Sequence, residues 1–380
     1  MTKVLIIDDD QAICTILKDV LETEGYEVTY SLTGEEGMRS YAQELPSVVL
    51  LDLRLPGVDG LVVLKDILGF DPDAVVLIMT GFGTVDSAVS AIRLGAADYL
   101  QKPLSNDEII LKIENALRNR VLAKELSYLK EFVGGRSPVN IIGESKTIRT
   151  VVEALRKMAA YDQPILITGE HGTGKNLAAR SAHEAGKRRG RPLVVFDCST
   201  FPPAGIEREL FGTNDGDQGR SKVDEAERGT LFLENIDFLP LPAQQRVLAL
   251  LHRRTFQMEH DEAGWDGQVI ASTALRLGEP GSEARFHPNL RQAFREHVIT
   301  LPPLRDREED IPLLADHFLD QANKELRASV SGFEPDAMRK LVSYSWPGNI
   351  RELRGTVRNA VRTTRAPLIR KEDLSIGESR

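Results

Sequence analysis

The sequence predicts an α/β protein built in two successive units. The first is a five-stranded doubly wound domain. A linker helix follows, then a second α/β domain with a glycine-rich loop and a small all-helical cap. Three observations carry this. Short runs apolar on both faces alternate with amphipathic helical segments, the pattern of a parallel sheet covered by helices. A strand, glycine-rich loop and helix stand in sequence over residues 165–179. From Asp310 to about Thr364 the pattern is helical.

In the first unit, Val4–Asp8, Val48–Asp52, Val75–Thr80 and Asp98–Lys102 read as strands. Ala12–Glu24, Gly34–Glu44, Gly60–Leu68 and Val85–Leu94 have helical spacing, with Gly25, Gly69 and Gly95 as stops. Five βα units give a doubly wound domain over residues 1–120. A long helix then runs from Asp107 to about Phe132. Leu122, Leu126, Leu129 and Val133 form an apolar seam on it, and Gly134–Pro138 breaks it. Two readings are open for 121–139: a helix lying on its own domain, or a short dimerising coil. The second unit, 140–305, has candidate strands at Ile165–Thr168, Leu193–Asp197, Thr230–Leu233, Val269–Ser272 and His297–Leu301. Residues 306–380 form the helical cap and a short tail.

The chain has 380 residues, with 41% hydrophobic and 28% charged, an ordinary globular balance. No apolar run approaches membrane-helix length. The N-terminus meets Asp8 after four apolar residues, which is no signal peptide. Two cysteines exclude a disulfide scaffold and a four-cysteine zinc site, and a reducing cytoplasm fits. Residues 1–120 carry 10 basic and 20 acidic side chains against 38 and 37 in the rest. Neither part has the positive excess of a DNA-binding domain, so no direct DNA contact and no membrane contact are expected.

Asp8, Asp9 and Asp52 fall at C-terminal ends of expected parallel strands, the edge where open α/β sheets bind ligands. Three gathered carboxylates favour a hard cation such as Mg²⁺. Thr80 and Lys102 end two more strands on that edge. A hydroxyl and an ammonium beside a metal-bound carboxylate make a phosphoryl-transfer site, and Lys102-Pro103 suits a cis peptide.

These residues resemble a two-component receiver domain: the pair Asp8-Asp9, the stretch Leu51–Gly60 around Asp52, Met79-Thr80-Gly81 and Lys102-Pro103. The resemblance spans 3–117. It implies that Asp52 accepts phosphate from a cognate histidine kinase, with Thr80 and Lys102 assisting. It also implies Mg²⁺ held by the acidic pair, Asp52 and the backbone carbonyl of Arg54, and a switch pair Thr80 and Tyr99.

In the second unit, Ile165–Thr168 runs into Gly169-Glu170-His171-Gly172-Thr173-Gly174-Lys175-Asn176 and a helix. The glycines let backbone amides wrap a phosphate chain, and Lys175 reaches the outer phosphates. Asn176 stands where the pattern has Ser or Thr. Residues 140–364 resemble the AAA+ domain of NtrC-type activators of sigma-54 RNA polymerase. The carrying stretches are Ile142–Ser145, Gly169–Lys175, Glu209–Gly212, Gly229–Leu233, Leu301–Pro312 and Trp346–Leu353. The resemblance implies ATP or ADP, with Mg²⁺, held by the loop, Glu234 and the lid's sensor arginine Arg351.

Several family features are missing. The family's Asp-Glu is Glu234-Asn235, and an amide cannot serve as a base near neutral pH. The sensor position is Ala274. The two arginine-finger positions are His287 and Ala293, with Arg291 and Arg295 nearby. The interval Thr213–Arg228 is too short for the polymerase-contact loop and lacks its GAFTGA sequence. No helix-turn-helix segment follows the lid within the 380 residues. The expectation is a phosphorylation-controlled bacterial cytoplasmic regulator with a degenerate ATPase domain. It would signal through protein contact: self-association as a dimer or ring, or a mixed assembly with a related AAA+ protein. The alternative is a slow ATP-hydrolysing activator using Glu234 for Mg²⁺, Asp237 as base and Arg291 or Arg295 as finger.

Cys14, Cys198 and His183 are expected in the core, and Lys187–Arg191 as a solvated basic turn. The histidines show no zinc-ligand spacing.

Overall fold

A computed structural model describes residues 2–81, 85–133, 141–201, 203–212, 221–255, 265–277 and 285–376. The first domain contains β1 (Lys3–Ile7), α1 (Gln11–Thr23), β2 (Glu27–Ser31), α2 (Gly34–Glu44), β3 (Val48–Asp52), α3 (Gly60–Phe70), β4 (Val76–Thr80), α4 (Val85–Leu94) and β5 (Asp98–Gln101). Its sheet is parallel in the order β2-β1-β3-β4-β5. The strands β1, β3 and β4 are buried on both faces, which is why they read as unbroken apolar runs. One core layer joins the sheet to α1, through Cys14, Leu17 and Leu21, and to Ile109 and Ile113 of the next helix. The other packs Val63, Leu64 and Ile67 of α3 beneath Leu51 and Ile78.

That next helix, α5 (Asn106–Val133), passes residue 120 without a break. Leu122 of the expected seam is exposed. The side chains of Leu126, Leu129 and Val133, and the 134–138 break, lie outside the described residues.

The second domain contains α6 (Lys146–Tyr161), β6 (Ile165–Thr168), α7 (Lys175–Ala185), β7 (Leu193–Asp197), α8 (Pro203–Phe211), α9 (Lys222–Glu225), β8 (Thr230–Glu234), α10 (Leu241–Thr255), β9 (Gln268–Thr273), α11 (Pro288–Phe294) and β10 (Val298–Thr300). Its parallel sheet runs β10-β6-β9-β8-β7. The lid is α12 (Ile311–Leu326), α13 (Pro335–Ser343) and α14 (Asn349–Thr363), around fully buried Trp346. A short parallel pair, β11 (Gly332–Phe333) and β12 (Leu368–Ile369), closes its end.

Asp310 staples the lid to the start of the second domain. Its carboxylate accepts from the amides of Glu144 (2.6 Å) and Ser145 (2.9 Å) and from the Ser145 hydroxyl (2.7 Å).

Two local expectations are corrected. Gly69 does not stop α3, which continues to Phe70. It lies inside the helix, where a Cβ would meet the Asn359 side chain of α14. The Lys187–Arg191 turn is not wholly solvated. Arg188 is buried, with Nε and Nη2 donating to Asp162 at 2.9 and 3.0 Å and Nη1 and Nη2 to Asp266.

Candidate functional site

At the C-terminal edge of the first sheet, β1 delivers Asp8 and Asp9, β3 delivers Asp52, β4 delivers Thr80, and the turn after β5 delivers Lys102. Carboxylate oxygens of Asp8, Asp9 and Asp52 lie within 4.8 Å of one another. Asp8 is fully buried, Asp52 nearly so, and Asp9 is exposed. Lys102 Nζ donates to Asp8 at 2.7 Å and also to Asp52. Burial raises the Asp8 carboxyl above its usual range, with the Lys102 contact partly opposing it. Burial alone would lower the Lys102 ammonium, but the two carboxylates outweigh that and raise it. The Arg54 amide donates to Asp52 at 2.9 Å, which fixes the loop whose carbonyl the resemblance to receiver domains gives to the metal. Thr80 is buried beside the site. Asp52, Arg54, Asp59, Thr80 and Gly81 line a cavity of about 180 Å³.

The Lys102-Pro103 peptide is cis. Tyr99 lies on β5. It is exposed, with Lys112 Nζ 4.9 Å from its ring centroid. The donor set fits a hard divalent cation: three clustered oxygens, one raised toward the neutral form by burial that a cation would offset.

The second centre lies at the C-terminal edge of the second sheet. The loop after β6 turns through positive φ at Gly169, Gly172 and Gly174, and Lys175 opens α7. Lys175 Nζ folds back onto the carbonyls of Gly169 (2.8 Å) and Glu170 (3.0 Å). Burial pushes it down to about 8, helped by the Arg351 charge and opposed by Glu234. Burial also drives His171 down to about 3, with Lys175 and Arg351 adding to it, so its imidazole is neutral. The Thr173 hydroxyl donates to the Glu170 carbonyl at 2.9 Å.

The loop is tied to the lid by residues outside the sequence-derived set. Arg305 grips Glu170 with two bonds, of 2.8 and 2.6 Å. That grip holds the Glu170 carboxyl down to about 2. Asn349 Nδ2 donates to the His171 carbonyl (2.9 Å) and to Glu170 (3.2 Å). The Ile350 amide donates to the Gly172 carbonyl at 3.0 Å, and Arg307 to that of Thr173 at 3.1 Å.

Asn176 and Glu234 meet, the amide donating at 3.0 Å. Asn235 takes a left-handed conformation, and its Nδ2 donates to Asp197 at 3.1 Å and to the Ser199 hydroxyl at 3.5 Å. Asp237, the expected substitute base, accepts from the Thr273 hydroxyl at 2.6 Å and pairs with Arg285 at 3.8 Å. Asp197, at the end of β7, is the carboxylate bonded to Asn235. The sequence reading missed it, although an acid ending a buried strand was the signal that found Asp8 and Asp52.

His287 caps α11, its ring accepting from the Asn289 amide, and Ala293 packs on the core. Neither finger position carries a guanidinium. Residues 213–220 of the shortened interval lie outside the described residues; Ser221 caps α9 just after them.

The two domains touch. The N-terminal edge of the first sheet meets the C-terminal edge of the second: Thr2 donates to the Phe201 carbonyl (2.8 Å) and Ser47 to that of Ser199 (3.1 Å). The end of α3 packs on α14, and Asp71 pairs with Arg351 at 3.5 Å.

Comparison with known proteins agrees with this layout. The response regulator receiver domain family matches residues 4–114, the sigma-54 interaction domain family residues 141–300, and the AAA+ ATPase lid domain family residues 305–376. The transcriptional regulatory protein ZraR of Klebsiella oxytoca is 38% identical over 94% of this chain and 82% of its own length. The nitrogen assimilation regulatory protein NtrX of Azorhizobium caulinodans is 34% identical over 93% and 79%. The crystal structure of NtrX from Brucella abortus in complex with ADP is 31% identical, with a TM-score of 0.58, covering 99% of this chain and 87% of that one. NtrX in complex with ATP gives a TM-score of 0.57. Among the described residues, no helix is long and apolar enough to cross a membrane. The chain belongs to the NtrC-type family of two-component response regulators, in which a receiver domain is joined to an AAA+ sigma-54 interaction domain.

Proposed function

We propose that this regulator takes a phosphoryl group on Asp52, binds ATP or ADP in its second domain, and hydrolyses ATP poorly or not at all. Its output is protein contact. In the receiver, an Asp52 carboxylate oxygen attacks the phosphorus of a kinase phosphohistidine. The N–P bond breaks, and an acyl phosphate forms. Asp8, Asp9, Asp52 and the Arg54 carbonyl would hold Mg²⁺, which would supply charge neutralisation at the phosphoryl oxygens. Lys102 and Thr80 face the same oxygens, Lys102 adding a second positive charge and Thr80 a hydroxyl donor.

In the second domain, Gly169–Asn176 would cradle the phosphates, and Glu234, positioned by Asn176, would be the carboxylate that holds Mg²⁺. That NtrX of Brucella abortus has been crystallised with ATP and with ADP supports nucleotide binding here. The observation that carries weak hydrolysis is Asn235. Its amide stands where a base is needed and is committed to Asp197 and Ser199. Loss of a general base costs about 10²–10⁴ in rate, and a missing arginine finger about 10³–10⁵.

The reading also includes a histidine kinase partner, a bacterial cytoplasmic setting, and self-association or a mixed ring with a related AAA+ protein. In such a ring, sites relying on this chain for a finger would stall.

One observation favours a second reading, a slow ATP-hydrolysing activator: Asp197 places a carboxylate beside Asn235. ATP turnover by the purified chain decides between them, with Lys175→Ala and Asp197→Asn as controls. Turnover at the level of Lys175→Ala supports the first reading. Turnover lost in both variants establishes the second, with Asp197 as base.

A further inference from the structure

Asp71 lies just past α3, in the N-terminal edge of the receiver, far from its acidic pocket. It is buried, yet its carboxylate is charged. Burial would raise it, but Arg351, Arg120, the Asp73 amide and the Tyr41 hydroxyl together hold it below the usual carboxylate range. Tyr41 donates to it at 3.2 Å, and Asp73 at 3.1 Å. The cation paired with it across the domain boundary is Arg351, 3.5 Å away.

Arg351 belongs to the nucleotide centre by position. It follows Asn349 and Ile350, which bond the phosphate loop, and a Cβ on Gly172 would stand 3.2 Å from the Arg351 Cβ. A guanidinium fork suits phosphate and carboxylate alike. In the docked chain the anion on that fork is a receiver carboxylate.

The surroundings are built for the docked arrangement. A Cβ on Gly355 of α14 would overlap the Gly69 carbonyl, and one on Gly348 would press on the Phe70 ring at 2.7 Å. Thr2 and Ser47 add hydrogen bonds to Phe201 and Ser199. Ser199 also touches Asn235, so docking reaches the strand edge where the phosphates would lie.

We infer that Asp71 is an internal competitor for nucleotide phosphate: it occupies Arg351 while the receiver is docked, so nucleotide binding and receiver docking oppose each other. The inference rests on the nucleotide binding proposed above. By linkage, the factor by which docking weakens nucleotide binding is the factor by which bound nucleotide loosens docking.

The test uses the full chain and two variants that act at different atoms. Asp71→Asn removes the competing charge with nearly the same shape. Gly355→Ala keeps Asp71 but forces the helices apart, and alanine is the better residue within α14. Affinity for a fluorescent Mg-ATP analogue is measured by polarisation. Amide hydrogen exchange of the wild-type segment 67–71 is followed with and without Mg-ATP. The expected result is affinity tighter by about 5-fold or more in both variants, with faster exchange of 67–71 when nucleotide is added. Equal or weaker binding by folded Asp71→Asn, or protection of 67–71 by nucleotide, overturns the inference and leaves the proposed function standing. If neither wild type nor either variant binds nucleotide, the nucleotide-binding reading and this inference fall together.

Discussion

Gly172 of the phosphate loop and Gly348 at the start of α14 meet backbone to backbone. A Cβ on Gly172 would overlap the Gly348 carbonyl, and φ at Gly172 is +77°. Gly172→Ala therefore meets both a backbone penalty and a collision. It should destabilise the lid by on the order of 1–3 kcal/mol and weaken nucleotide binding. Denaturant unfolding followed at Trp346 reads the first, and nucleotide titration the second.

Asp310 is fully buried and accepts three hydrogen bonds from Glu144 and Ser145. Asp310→Ala leaves those donors without partners, and a loss of about 2–5 kcal/mol is expected. Thermal unfolding should show a lowered melting temperature, since the staple ties the lid to the start of the second domain.

Lys102 bridges Asp8 and Asp52. In Lys102→Ala, uptake of phosphate from a small phosphodonor should fall by about 10²-fold or more, and Asp52→Asn should abolish it. Alkali- and hydroxylamine-labile phosphate on the intact chain is the readout. Labelling that persists in Asp52→Asn would move the acceptor elsewhere.

Lys175 titrates near pH 8 because burial disfavours its charge. Bound phosphates would raise that value by pairing with the ammonium. Below pH 8 the lysine is already protonated, so affinity should be flat. Above pH 8 each unit should weaken binding by up to about tenfold, until the bound-state value is passed. Nucleotide titrations from pH 7 to 9.5 check the sign, and Lys175→Arg should flatten the profile.

Much of the acidic edge was legible because Asp8, Asp52 and Thr80 stand at the ends of strands that are apolar on both faces. The strand β2 was not named in the sequence because Glu27, Thr29 and Tyr30 interrupt its burial at the sheet edge. Gly69 misled because a glycine near a helix end reads as a stop. Its neighbour in the fold is Asn359, 290 positions away in the chain. Asp71 carries no local signal at all: its meaning comes from Arg351 in another domain. Arg188 showed its charge in the sequence but not its partners, Asp162 and Asp266. Lys175 and its glycines were readable, whereas the Arg305, Arg307 and Asn349 ties to the loop required the lid to be in place.

The placement of the receiver has a mechanical consequence. Its phosphoryl chemistry sits at one end of five parallel strands, and its grip on the second domain sits at the other. Strands of five residues separate the two by on the order of 15 Å. No phosphate on Asp52 can touch Asp71 or Arg351 directly. Any message between them must travel as a tilt or slide of α3, which starts beside Asp52 and ends at Asp71. At its first residue, Gly60 lies so close to the Asp52 and Leu53 backbone that a Cβ would overlap them. That helix is thus a lever seated on the strand that carries Asp52, its far end resting beside Arg351 of the second domain.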